Sequence, residues 1–294
     1  MSPSPASLER AREFLYRDAR LLERRLFSTL FEGAPVPGVV DALIAYRNAD
    51  GGFGHALEPD KRCPESQPLD VQIAFETLVA AGASAREIVT DACGFLETVT
   101  TPDGGVPIAL ESATHYPRAA HWSEISPDAG VNPTAALAGL LYHLRVDHPW
   151  RERAAAFCFA ELEREVPHEA HAIRCVFEFL EHAPDRARAD AWAGRVAAAL
   201  PTAEWFRADP DDVTYGVPPP SFAPTPQSPW RACFDDTLFE AHLDRLAADQ
   251  QADGGWPITW DAPSAAAELE WRGIETLRAI RVLAAYGRVD TRAR

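Results

Sequence analysis

Apolar residues near the start of the chain recur at three- and four-residue steps: Leu8, Ala11, Phe14, Leu15, Leu22 and Leu26. That is the period of one helix face, and Ser7 stands just before it as an N-cap, so the pattern predicts a helix over 7–31. The same reading predicts helices over 36–47, 68–82, 84–99, 133–147, 150–165, 169–182, 187–200, 235–250 and 265–287. Pro68 and Pro133 sit at first-turn positions, and Ser84 and Asp235 are positioned as caps. Alternation of period two is nowhere sustained. The expected fold class is therefore all-α, with about ten to twelve helices.

Two stretches interrupt the helical pattern, 101–131 and 202–232. Loops this long inside a compact domain are usually rims or lids. Both carry aromatics (Tyr116 and Trp122; Trp205, Phe206, Tyr215, Phe222 and Trp230), so they are expected to pack down. Neither has the composition of a linker, and one domain over 1–294 is expected, with helix 7–31 packed on the rest.

A short segment occurs three times: RNADGGFGHAL at 47–57, TTPDGGVPIAL at 100–110 and QQADGGWPITW at 250–260. Each copy ends one helix and leads through an irregular segment to another, beginning near SQPLDVQIAFETL, VNPTAALAGLL and EWRGIETLRAI. The glycines permit a left-handed turn and the aspartate can cap it. A helical hairpin cannot bury both faces alone, and stacking such hairpins in a circle gives an inner and an outer ring of helices.

The net charge is −16, which argues against a duplex nucleic-acid partner and does not advertise a polyanionic substrate. No apolar run reaches the length of a membrane span. The first twenty residues are charged and lack the apolar core of a secretory signal, so a cytoplasmic location is expected. Cys63, Cys93, Cys158, Cys175 and Cys233 are widely spaced without a CxxC pair and read as free thiols. The only lysine, Lys61, lies beside Arg62 in EPDKRC.

In the third copy, Gln250, Gly254 and Trp256 form QxxxGxW. This resembles the QW motif of the terpenoid cyclase and protein prenyltransferase superfamily, in particular its small bacterial prenyltransferase-like or squalene-cyclase-like members. The other copies keep DGG and replace the tryptophan by Phe53 and Val106. The resemblance covers roughly 36–290 and implies a single-domain α/α toroid, a double ring of antiparallel helices, with an isoprenoid in the central cavity. Class II cyclases of that superfamily protonate an alkene or epoxide with a DxDD acid, often followed by Thr-Ala. DPDD at 209–212 fits the letters but lies in a proline-rich loop. Aligning Thr134-Ala135 with the Thr-Ala instead puts Asn132 at the acid position, and an amide cannot protonate an alkene. The prenyltransferases bind zinc through Asp, Cys and His. Here His55, Glu58, Asp60 and Cys63 are of suitable types without a matching spacing, so no cofactor is expected, zinc or magnesium being the ions those donors would take.

In a toroid, the segments after the three turns converge on one mouth. That assembles a candidate site from EPDKR, HWSE at 121–124 and EWR at 270–272. Glu58, Asp60 and, as a fallback, Asp70 are the catalytic candidates, because an acid against apolar walls is raised in pKa and can deliver a proton. His55, Lys61, Arg62, Trp122, Glu124, Asn132, Glu270, Trp271 and Arg272 are the substrate-binding candidates, with Arg62 and Arg272 neutralising the acids. The favoured function is an isoprenoid cyclase or prenyl-transforming enzyme. The alternatives are a non-catalytic toroid binding a lipid or a partner protein, and a carbohydrate-active α/α-barrel enzyme.

Overall fold

Eleven α-helices make up nearly all the regular structure in the computed structural model, which describes residues 6–290. The chain divides into two compact units, Pro35–Glu204 and a discontinuous one formed by the residues up to Ala34 together with those from Trp205 onward. All-α is therefore the fold class. The only strands among the described residues are a two-residue parallel pair, β1 (Ala6–Ser7) and β2 (Val289–Asp290).

The discontinuous unit holds α1 (Leu8–Asp18), α2 (Leu21–Glu32), α10 (Asp236–Ala248) and α11 (Ala265–Ala285). Ser7 caps α1 as expected, its hydroxyl accepting from the Arg10 amide, and Asp235 caps α10 through the Leu238 amide. The single helix expected over 7–31 is in fact two. Ala19 and Arg20 are extended (ψ 163° and 162°), and the break brings Ala19 against Gly273 of α11. A Cβ on Gly273 would fall 2.8 Å from that of Ala19, so the close approach needs both the break and the glycine. Apolar periodicity continues across the break, which is why the sequence does not reveal it.

The continuous unit holds α3 (Pro37–Ile44), α4 (Pro68–Ala81), α5 (Arg86–Thr98), α6 (Val131–His143), α7 (Pro149–Arg164), α8 (Ala170–His182) and α9 (Arg186–Ala199). Pro68 occupies the first turn of α4, but α5 begins after Ala85 without a side-chain cap, so Ser84 does not serve as one. Every residue from Pro133 to Leu141 is buried, because α6 packs against α4, α7 and α8. Gly139 allows the closest of these contacts: a Cβ there would lie 2.5 Å from the Glu178 carbonyl oxygen of α8.

The three DGG turns are built alike. In each, an amide four residues before the second glycine donates to that glycine's carbonyl: Asn48 to Gly52, Thr101 to Gly105 and Gln251 to Gly255, each at 2.9 Å. The first glycine of each pair is left-handed, with φ of 88°, 104° and 93°. The second lies under a phenylalanine ring, Phe95, Phe157 or Phe14, on a neighbouring helix of its own unit. The residue four positions earlier on that helix, Asp91, Arg153 or Arg10, presses its backbone carbonyl against the first glycine. Two of the turns continue identically, since the Val106 and Trp256 amides donate to the hydroxyls of Thr134 (3.0 Å) and Thr276 (2.9 Å).

A different side chain at the start of each copy holds the helix beside it. Gln250 accepts from the Ser7 amide (2.8 Å) and donates to the Ser7 carbonyl (2.9 Å). Thr100 accepts from the Trp150 indole (2.7 Å), and Arg47 pairs with Asp91. Trp256 is buried, its indole donating to the Leu246 carbonyl at 2.7 Å.

Candidate functional site

After the first turn, the chain doubles back on itself before entering α4. His55 and Ala56 both take left-handed backbone (φ 56° and 59°), and their amides donate to the carbonyls of Pro64 and Cys63. Two consecutive non-glycine residues in this region store strain, which persists where surrounding contacts enforce it. The resulting hairpin is fixed to the segment after the second turn. The Ala119 amide donates to the Asp60 carbonyl and the Arg62 amide to that of Pro117, both at 2.9 Å. Arg118 pins its own segment by donating to the carbonyls of Thr114, Tyr116 and Trp122. Gln67, at the N-cap of α4, reaches the same segment, accepting from the Leu110 amide and donating to the Ser112 hydroxyl.

Inside this frame lies a buried cluster of charges. Glu58, Asp60, Lys61 and Asp70 are each at most 4% exposed. Lys61 Nζ donates to Glu58 Oε2 (2.7 Å), and Asp70 Oδ2 lies 3.4 Å away, near enough for strong attraction but outside hydrogen-bond geometry. The other Asp70 oxygen accepts from the Glu58 amide at 3.0 Å. Lys61 also sits over the Trp122 ring, 4.7 Å from its centroid. Burial pushes the Asp70 carboxyl up to about 6, with Lys61 opposing the rise and Glu58 adding to it. Burial by itself would lower Lys61, yet Asp70 and Glu58 outweigh it and raise the ammonium.

The edge of the cluster opens towards solvent at His121. Its Nε2 lies 3.6 Å from Asp60 Oδ2, and its side chain is 54% exposed. Partial burial lowers its pKa, against the pull of Glu58. Trp122 is buried with Ala109 and Ala119, and the partly buried Leu69, Ile108 and Ile125 pack around them as an apolar wall. The Trp122 indole nitrogen is buried without a hydrogen-bond acceptor among the described residues. Buried donors without an acceptor are uncommon in folded proteins.

EPDKR and HWSE are thus brought together, with Asp70 at their centre. Several candidates play other parts. The neutralising cation is Lys61, whereas Arg272 is bound within its own unit: its guanidinium donates to both Asp253 oxygens (2.9 and 2.8 Å), to the Gln251 side chain and to the Trp256 carbonyl. Trp271 is buried edge-on to Trp260, at 5.1 Å between centroids, and its indole nitrogen has no acceptor among the described residues. Glu270 on the same helix is only half-buried. The backbone amide of Arg62 helps to secure the hairpin. Glu124 is exposed. Asn132 is half-buried at the head of α6 and accepts from the Cys175 thiol (3.5 Å). DPDD at 209–212 is spent on its own loop, with Asp209 accepting from the Asp211 amide and Asp212 from the Thr214 amide and hydroxyl. Those Thr214 bonds lower the pKa of Asp212, the opposite of what a proton donor needs.

The zinc set considered from residue types does not assemble. His55 is exposed and shares a hydrogen bond with Asn48 (2.9 Å), while the Cys63 thiol turns to the Glu65 carbonyl. Instead, the ligand atoms of Glu58, Asp60 and His121 lie within 4.8 Å of one another and could hold a cation. His121 escaped the sequence reading although HWSE was singled out, because its partner Asp60 is 61 positions away. The thiols of Cys93 and Cys175 are pushed up to about 12 by burial, so they are inert as nucleophiles.

No family model and no curated protein matches the chain. Among solved structures, it is similar to a protein from Actinoplanes, with 17% identity over 94% of this chain and 98% of the other and a TM-score of 0.57. At that identity the likeness concerns the fold alone. No helix among the described residues is long and apolar enough to cross a membrane.

Proposed function

We propose that the cluster of Glu58, Asp60, Lys61 and Asp70, with His121 at its edge, is a proton-handling centre, and that the chain is an isoprenoid-handling enzyme of cyclase type on an α/α toroid. What supports the toroid is the identical construction of the three turns and the tie from Gln250 and Trp256 to neighbouring helices. The observation that carries the chemistry is Asp70: a buried carboxyl raised to about 6, next in sequence to Leu69 of the apolar wall around Trp122. A buried carboxyl raised in this way holds its proton to higher pH than an ordinary carboxylate, which is the direction that protonating an alkene or epoxide demands. Lys61 tunes this acid by limiting the rise. The net charge of −16 favours a neutral polyene or its epoxide over a diphosphate.

The test is incubation with neutral isoprenoid polyenes and epoxides, followed by product analysis by gas chromatography and mass spectrometry. The wild type yields cyclised or hydrated product, and Asp70→Asn yields none while retaining binding, read as quenching of tryptophan fluorescence. A second reading rests on the ion pairs of Lys61, which already neutralise the buried acids and fasten the hairpin to α4. On that reading the cluster is structural. Absence of binding and of product in the wild type would favour it.

A further inference from the structure

We propose that His143, Glu178 and His182 form a binding site for a divalent transition ion of the zinc class, independent of the buried cluster. His143 ends α6, while Glu178 and His182 lie one turn apart on the last turns of α8. Gly139 lets these two helices approach closely one turn before His143, with its Cα against the backbone of Glu178 itself. The three ligand atoms lie within 4.8 Å of one another. Glu178 Oε1 is 3.3 Å from His182 Nε2 and 4.0 Å from His143 Nδ1, and the imidazole centroids are 4.3 Å apart. Ligands about 2.0–2.1 Å from a tetrahedral zinc stand about 3.3 Å from each other, so closing around an ion needs side-chain movements of less than about an ångström.

The donor set also selects the ion. Two imidazoles and one carboxylate suit zinc, nickel or copper, whereas magnesium and calcium require oxygen ligands. Three protein ligands leave one tetrahedral position for water. The side chains are 22–44% exposed, so an ion reaches them from solvent while the helices hold their backbones rigid.

The experiment is calorimetric titration of untagged protein with zinc chloride in a non-chelating buffer. One equivalent is expected to bind at micromolar concentration. His143→Ala and His182→Ala each weaken binding at least tenfold, and His121→Ala leaves this equivalent intact. Ten millimolar magnesium does not displace it. In the wild type, zinc shifts the ring signals of two histidines in NMR spectra, and the single variants remove one set each. The proposal is overturned if the wild type takes up no zinc, if the His143→Ala/His182→Ala double variant retains wild-type affinity, or if magnesium competes.

Discussion

The turns at 50–52 and 253–255 share their backbone hydrogen bonds, their left-handed first glycine and the phenylalanine over their second, yet the chain after them behaves differently. After the third turn, Trp256 is buried and Arg272 returns to bind Asp253, so the segment closes upon its own turn. After the first, Phe53 is buried, but two left-handed residues then redirect the chain and four charged side chains enter the interior. Turns built alike therefore serve as fixed supports, and two consecutive left-handed residues together with a cluster of buried charge follow only the first of these two. Strained backbone and buried charge both cost stability and need a reason. The third segment has neither, and reads as scaffold.

Substitutions can break or sharpen this contrast. Trp256→Ala removes the largest buried group beside the third turn and should cost about 3–5 kcal/mol, measured by urea unfolding. An unchanged midpoint would mean that this segment is not scaffold. Lys61→Met strands Glu58 and Asp70 without their counter-charge, with a cost of similar order, about 3–5 kcal/mol at pH 7. Recovery of most of that loss in a Lys61→Met/Glu58→Gln double variant would show that the uncompensated charge is the cause.

The pH dependence of Asp70 tests the same cluster without disrupting it. A carboxyl raised from its ordinary value near 4 to about 6 binds its proton more tightly in the folded state. Its contribution to stability is full below about pH 4 and is lost as the pH rises through 6. The stability of the wild type relative to Asp70→Asn should thus fall by about 2.4 kcal/mol between pH 4 and 7. A flat difference would place the proton elsewhere. Thr134→Val and Thr276→Val remove equivalent hydroxyls from two turns and should cost similar amounts, about 1–3 kcal/mol each. Unequal losses would show that the turns are alike only in outline. The smallest effect is expected from Asp209→Asn in the exposed DPDD loop, within about 0.5 kcal/mol of wild type by urea unfolding.

Much of this arrangement is legible in the sequence, for reasons that differ by element. The helices from α4 onward follow from apolar spacing, and DGG announces its turn because only glycine adopts that conformation at no cost. The charged hairpin is visible because Glu58, Asp60 and Lys61 are adjacent in the chain. What escapes is set by distant partners. His121 becomes a neighbour of Asp60 only through pairing of the 60–62 and 117–119 backbones. Arg272 looks available until Asp253 is seen to occupy it. The break at Ala19 answers to Gly273, some 250 positions later, and no local pattern contains that information.

The union of α1 with α11 has a consequence for biosynthesis. The carbonyl of Arg10 receives Gly254, the Phe14 ring covers Gly255, and Gln250 closes on Ser7, so every one of these partners of α1 is translated some 240 positions after it. At about 5–20 residues per second, α1 waits roughly ten seconds to a minute outside the ribosome with Phe14 and Leu15 uncovered. Pro35–Glu204 is continuous and needs no such delay. The nascent chain therefore carries a sticky amphipathic helix ahead of a segment able to acquire structure first. A trigger-factor-type holdase is expected to crosslink to α1 on stalled chains ending near residue 240, and to release it once α11 has emerged.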